Sequence, residues 1–281
     1  YELHPDYTTL FTEAAESSSE IIFGVRFEGP GLQEGSSFGG HWDTPLEAMN
    51  GTLDLAREFY CIDGLPTNLS PLYEESSVNT VESPDPLRYQ NRDPRLKATL
   101  FTPGMQWGNN TSNYGGAAAS LSTLYVMKYF NPALNWSTSW DAGQDFYVIR
   151  YAEVLLSLAE ALVEKGGYNY SEVASLVNAV RERAKMPTVE AVEGNGLNQE
   201  QLRNLIRRER RVETAFEGLR LFDLYRWEEL ESAAERINQE AADNNFSYEY
   251  RNFRGQMEYV WPIPLAEVNA NKQLEQHELW K

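Results

Sequence analysis

The sequence predicts a mainly α protein with a loop-rich region that carries short β-strands. Three observations point there. From Phe146 to Trp227 the chain is amphipathic at helical spacing, with Arg and Glu crowded onto its polar faces. Between residues 20 and 135 it breaks instead into short apolar runs separated by Gly, Pro, Ser and Asn clusters. No strand–helix–strand alternation of the kind that builds a parallel sheet is present.

The elements follow in order. Residues 1–18 read as the tail of a helix, with Leu3, Tyr7, Leu10, Phe11 and Ala14 on one face and Ser17 to Ser19 ending it. Ile21 to Phe27 alternates as a strand, and Glu28 to Gly40 is Gly-, Pro- and Ser-rich loop. A short helix within Thr44 to Phe59 and a strand from Tyr60 to Pro66 follow. Residues 67–95 are polar, Pro-rich loop, Lys97 to Phe101 reads as a strand, and Thr102 to Gly116 is a Gly/Asn loop holding Trp107 and Tyr114. Tyr125 to Phe130 is strand-like and leads into a Trp-bearing loop over 131–145.

Helices are expected at 147–165, 171–185, 198–216 and 219–242. The first places Ile149, Ala152, Leu156, Ala159 and Val163 on one stripe and Arg150, Glu153, Ser157, Glu160 and Glu164 opposite. Ser171 can cap the second, and Asn198 with Gln201 sets up a capping box for the third. The tail is irregular, with one strand from Glu258 to Trp261. Three segments result: a loop-rich region over 1–145, a helical scaffold over 146–245, and an irregular segment over 246–281 that packs back on the fold.

Composition excludes several functions. A net charge of −18 over 281 residues argues against nucleic acid, which needs a basic footprint. The Arg run at 203–211 is interleaved with Glu200, Glu209, Glu213 and Glu217, the pattern of a salt-bridged helix face. Cys61 is the single cysteine, so there is no disulfide framework and no CxxC metal site, and burial is its expected role. His4, His41 and His277 are the only histidines, and none is spaced to share a metal. Residues 35–39 match G-x-S-x-G around Ser37, but the match stands in Gly-rich loop rather than at a strand-to-helix turn. No run is long and apolar enough to span a membrane, and residues 1–25 carry no signal-peptide pattern. No cofactor and no catalytic centre are expected.

What remains is aromatic surface. Trp42, Trp107, Trp136 and Trp140 lie in or beside Gly/Asn/Ser-rich loops, close in sequence to His41, Asp43, Gln106, Asn109, Asn110, Tyr114, Asn135 and Asp141. Sugars offer flat C–H faces that stack on such rings and hydroxyls that pair with amides and carboxylates. The candidate ligand-binding set is therefore Trp107, Trp42, Trp136, Trp140, Asn109, Asn110 and Tyr114, led by Trp107. Trp227, Trp261 and Trp280 read as packing residues.

Two long motifs carry a resemblance. Tyr147 to Ala161 reads YVIRYAEVLLSLAEA, and Arg207 to Trp227 reads RRERRVETAFEGLRLFDLYRW. Flanking them, in order, stand Glu20 to Phe23, Asp63 to Pro66, Arg92 to Leu96 and Trp261 to Pro264. The set resembles the SusD/RagB family of outer-membrane nutrient-binding lipoproteins. Two places depart: one residue fewer stands between Tyr147 and Val148 than in the family pattern, and Gln276-His277-Glu278-Leu279 stands where the family has Asn-Pro-Gly. The resemblance implies a tetratricopeptide-type helical scaffold, although no 34-residue repeat is legible. It also implies a non-catalytic surface protein that captures an oligosaccharide and hands it to a SusC-like TonB-dependent transporter. Membrane contact would run through an N-terminal lipid anchor absent from this chain, together with the first helical repeats. Three rivals stand beside this reading: a peptide or glycopeptide ligand on the same fold, an interaction module without a small ligand, and a hydrolase using Ser37.

Overall fold

A computed structural model describes residues 1–36, 50–78, 85–107, 110–113, 124–130, 141–244 and 249–281, with the backbone alone for 106–107 and 110–113. Helices dominate. They are α1 (Tyr7–Leu10), α2 (Leu53–Glu58), α3 (Arg95–Thr99), α4 (Tyr151–Lys165), α5 (Tyr170–Arg183), α6 (Val189–Glu193), α7 (Gln199–Glu213), α8 (Arg220–Arg226), α9 (Leu230–Asn244) and α10 (Leu265–Ala270). The strands are short: β1 (Ile21–Val25), β2 (Leu100–Phe101), β3 (Gln106–Trp107), β4 (Asn110–Asn113), β5 (Tyr125–Val126) and β6 (Phe146–Arg150). They form three antiparallel two-stranded ribbons, β1–β6, β2–β5 and β3–β4. The chain divides into two units, Tyr1–Gly218 and Leu219–Lys281.

The core of the first unit joins α4, α5, α6 and α7. Ala152, Leu155, Leu156, Ala159 and Val163 meet Val173, Val177 and Val180 of α5, Val189 of α6, and Leu202, Leu205 and Ile206 of α7. Burying each larger aliphatic side chain contributes about 1.5–3 kcal/mol, and this cluster fixes the helical layer. A second, aromatic cluster of Tyr7, Leu10, Phe11, Tyr129 and Tyr147 packs edge-to-face around Phe11 and Tyr129. The expected capping box forms: Asn198 accepts from the Gln201 amide at 3.0 Å while the Gln201 side chain accepts from the Asn198 amide at 2.9 Å. Cys61 is buried, as expected.

Several elements differ from the sequence reading. The first long helix starts at Tyr151, because Phe146–Arg150 pairs with β1 in alternating burial; Ile149 is thus 40% exposed and Arg150 is fully buried. α5 is capped by Asn169, whose side chain accepts from the Ser171 amide, and not by Ser171 itself. Lys97 to Phe101 splits into the end of α3 and β2, and the loop from Thr102 contains β3 and β4. The helix expected over 219–242 breaks after Trp227, where Glu228 takes a positive φ of 57°. Residues 7–15 give α1 and a 3-10 turn rather than one helix, and 44–49 lie outside the described residues. Residues 255–259 form a 3-10 turn in place of the expected strand, and Trp261 is 75% exposed, not packed. Trp227 is buried and Trp280 half-buried, its indole N–H donating to the Val260 carbonyl at 2.6 Å.

Candidate functional site

The segments carrying the loop aromatics are rooted in described backbone, and those roots pair with one another. Ser36, which precedes the Trp42 segment, exchanges both ladder hydrogen bonds with Ala142, which follows the Trp136/Trp140 segment, at 2.7 and 3.0 Å. Asn50, at the end of the Trp42 segment, bridges to Tyr125, and the Gly51 amide donates to the Leu124 carbonyl at 3.0 Å. Leu124 in turn follows the segment that holds Tyr114. β2 and β5 flank the β3–β4 ribbon and the segment after it, and they pair with each other. Within that ribbon Trp107 and Asn110 are register partners.

Asp141 locks one of these junctions. Its carboxylate accepts from the backbone amides of Gly31 at 2.6 Å, Gln33 at 3.2 Å and Gly35 at 2.9 Å. Hydrogen bonding from Gly31, the strongest influence on this exposed carboxyl, holds it below the usual aspartate range. Gly29 and Gly35 are required by the closeness of the approach, since a Cβ there would stand 2.1 and 2.4 Å from Asp141 backbone atoms.

A buried charge network is centred on α7 and the turn after it. Arg150, at the end of β6, donates to Glu20 at 2.6 Å, to Glu213 at 2.8 Å and to both oxygens of Glu217 at 2.6 and 2.8 Å. Arg183 of α5 also pairs with Glu20, at 3.1 Å, and with Glu213. Arg95, at the start of α3, joins Asp93 and Glu209 at 2.7 Å each and Glu213 at 3.0 Å; Arg181 holds Glu209 at 3.0 Å. Lys128, two residues beyond β5, donates to Glu217 at 2.5 Å and to the carbonyls of Glu213 and Ala215, 4.3 Å from the Phe11 ring centroid. Arg211 reaches back to Asp54 and Glu58 of α2 at 2.5 and 2.8 Å.

The outcome is a common anchor. α2, α3, Lys128 and β6 each adjoin a root described above, and each sends a charge to α7 or to Glu217 just beyond it. Electrostatics agree with the geometry. Burial alone would raise Glu209, but Arg95, Arg181 and Arg208 outweigh it and hold the carboxyl at about 2. The same balance depresses Glu213 and Glu217, with Arg183 and Arg150 foremost. Burial pulls the Lys128 ammonium down to about 8 against the attraction of Glu217. Within the Arg block, Arg203, Arg210 and Arg211 pair with Glu164, Glu153, Asp54 and Glu58 of other helices, while Glu209 and Glu213 take their closest cations from α3, β6 and α5 rather than from the block itself.

Of the residues singled out as ligand contacts, Trp107 and Asn110 have their backbones placed by the β3–β4 ribbon. Their side chains lie outside the described residues, as do Trp42, Trp136, Trp140, Asn109 and Tyr114, and likewise Ser37 and His41. Asp141 was legible only as a neighbour of Trp140; its clamp depends on the Gly-rich stretch 29–35, whose bare backbone was the available signal. Among the described residues no group of His, Cys, Asp and Glu is arranged to hold a metal ion, and no helix is long and apolar enough to cross a membrane.

The profile of the SusD family matches residues 19–280. Two SusD-like proteins of Formosa agariphila are 34% identical over 159 residues and 30% identical over 208 residues, covering 55% and 69% of this chain. The matches span 30% and 37% of those two proteins' lengths. A solved SusD-like carbohydrate-binding protein from Bacteroides fragilis superposes with a TM-score of 0.75 at 27% identity, over 98% of this chain and 58% of that one. Surface glycan-binding protein A from Bacteroides thetaiotaomicron, solved with laminarihexaose, shares the fold at a TM-score of 0.52 and 24% identity, over 98% of this chain and 56% of that one.

Proposed function

The chain belongs to the SusD family, and on that premise we propose that it captures an oligosaccharide at the cell surface and passes it to a TonB-dependent outer-membrane transporter. The observation that carries the reading is the pairing of the loop roots: Ser36 with Ala142, Asn50 with Tyr125, and β2 with β5 join backbone positions that flank the segments bearing Trp42, Trp107, Trp136 and Trp140. Rigid roots lower the entropy lost when loop aromatics order around a ligand. The solved Bacteroides fragilis relative described as carbohydrate-binding supports the same class.

In this reading Trp107, Trp42, Trp136 and Trp140 stack on sugar faces while Asn109, Asn110 and Tyr114 take hydroxyls. The chemistry is capture and release, without bond making, metal or cofactor. Surface attachment is through a lipid anchor, by analogy with the family. The net charge of −18 favours neutral glycans, since an anionic polymer meets repulsion everywhere but at local cationic sites.

Titration calorimetry with a panel of neutral oligosaccharides and of peptides tests the proposal. Saturable binding of one or more glycans and none of the peptides is expected; peptide binding alone, or no small-ligand binding, overturns it. One observation favours a second reading. The unit Leu219–Lys281 exposes Leu221, Phe222, Tyr250, Trp261 and Leu265, each half exposed or more, as a protein-contact module would. That module predicts partner binding with no glycan affinity in the same titrations.

A further inference from the structure

A polar cleft of about 370 Å3 opens in the first unit where the end of α2, the end of α6 and the first turns of α7 meet. Its most distinctive wall is Arg208, whose guanidinium lies 3.8 Å from the centroid of the Tyr60 ring. The Arg208 side chain is 12% exposed, yet its partners are sparse beside those of Arg150 or Arg95. One nitrogen donates to the Glu58 carbonyl at 3.4 Å; another stands 3.8 Å from Glu209, a carboxylate already held by Arg95 and Arg181. Five N–H donors are available on a guanidinium, so Arg208 has donor capacity left at the cleft wall. Burial lowers its pKa, consistent with a cation whose compensation within the protein is incomplete.

The rest of the lining narrows the chemistry. A planar guanidinium backed by an aromatic ring is suited to a carboxylate, which it can bind through two parallel hydrogen bonds. Glu58 opposes such an anion less than a lone carboxylate would, because Arg211, shared with Asp54, pairs with it at 2.8 Å. Asn204 adds an amide that suits a hydroxyl, exposed Glu193 accepts from another hydroxyl while adding some repulsion toward the anion, and buried Leu205 offers an apolar wall for a C–H face. We propose that this cleft binds a carboxylate-bearing sugar unit of the uronate type. The carboxylate sits on Arg208, the hydroxyls on Asn204 and Glu193, and the ring face on Leu205. None of these residues belongs to the loop segments, although Arg208 also stands 3.8 Å from Glu209 of the buried network.

The test is titration of the whole chain with a methyl uronoside and with its uncharged methyl ester, which keeps the ring and hydroxyls but removes the anion. The acid should bind at least about tenfold more tightly than the ester, the worth of one charged hydrogen-bonding contact. Arg208→Gln should abolish that preference. Because Arg208 also packs on Tyr60, exposed Asn204→Ala serves as the second variant: it should weaken the acid about threefold or more, with melting unchanged. Equal binding of acid and ester, wild-type affinity in Asn204→Ala, or tighter binding of a free α-amino acid than of the uronoside would each overturn the assignment. Loss of neutral-glycan binding in loop variants leaves this result untouched, so the two proposals fail separately.

Discussion

α7 and α9 are both fifteen residues long and both rich in charge, yet they are stabilised in different ways. α7 buries Leu202, Leu205, Ile206, Glu209, Arg210, Val212 and Glu213, whereas α9 buries only Glu240. A helix's own spacing marks which face is polar. Whether that face is buried depends on partners elsewhere, and α7 meets Arg95, Arg150, Arg181 and Arg183, which come from α3, β6 and α5. A polar face with such partners becomes interior; without them it remains solvated.

The contrast breaks most visibly by removing one partner of the network. Arg150→Met leaves Glu20, Glu213 and Glu217 short of a cation in a buried site, and thermal unfolding should show a loss of about 3–5 kcal/mol. Acid should act on the same residues. Glu209, Glu213 and Glu217 are all held below the ordinary glutamate value of 4.5. Their contribution is therefore complete above about pH 4.5 and is lost as pH falls toward 2. A melting series from pH 7 to 2 should fall steeply in that window for the wild type. Melting that is flat from pH 5 to 2.5 would contradict the depressed carboxyls.

Smaller effects sharpen the comparison. Asn198→Ala removes the cap of α7 and should cost about 1 kcal/mol in chemical denaturation, since the core still holds the rest of the helix. Glu235→Gln, on the exposed side of α9, should stay within about 0.5 kcal/mol of wild type. If the α9 substitution proved as damaging as the Arg150 one, the distinction between the two helices would collapse.

The helical half was legible because its information is local. The stripe Ala152, Leu156, Ala159 and Val163 and the Asn198–Gln201 box are short-range patterns, and both appear where expected. The places where the reading slipped depend on distant partners. Phe146–Arg150 continues an apolar helical pattern, but pairing with β1, more than 120 residues earlier, makes it a strand. Trp261 carried no local sign that distinguishes packing from exposure. At the candidate site, sequence supplied the aromatic residue types but not the junctions, because Ser36–Ala142 and the Asp141 clamp join segments about a hundred residues apart.

The proposal that the loop aromatics bind glycan is open to one direct measurement. Calorimetry of Trp107→Ala against a bound neutral oligosaccharide, with a melting curve on the same sample, tests it most directly. Loss of an aromatic anchor should cost on the order of 2 kcal/mol, about thirtyfold in affinity, while the melting temperature stays that of wild type. Wild-type affinity in Trp107→Ala and in the corresponding Trp42, Trp136 and Trp140 variants would contradict it.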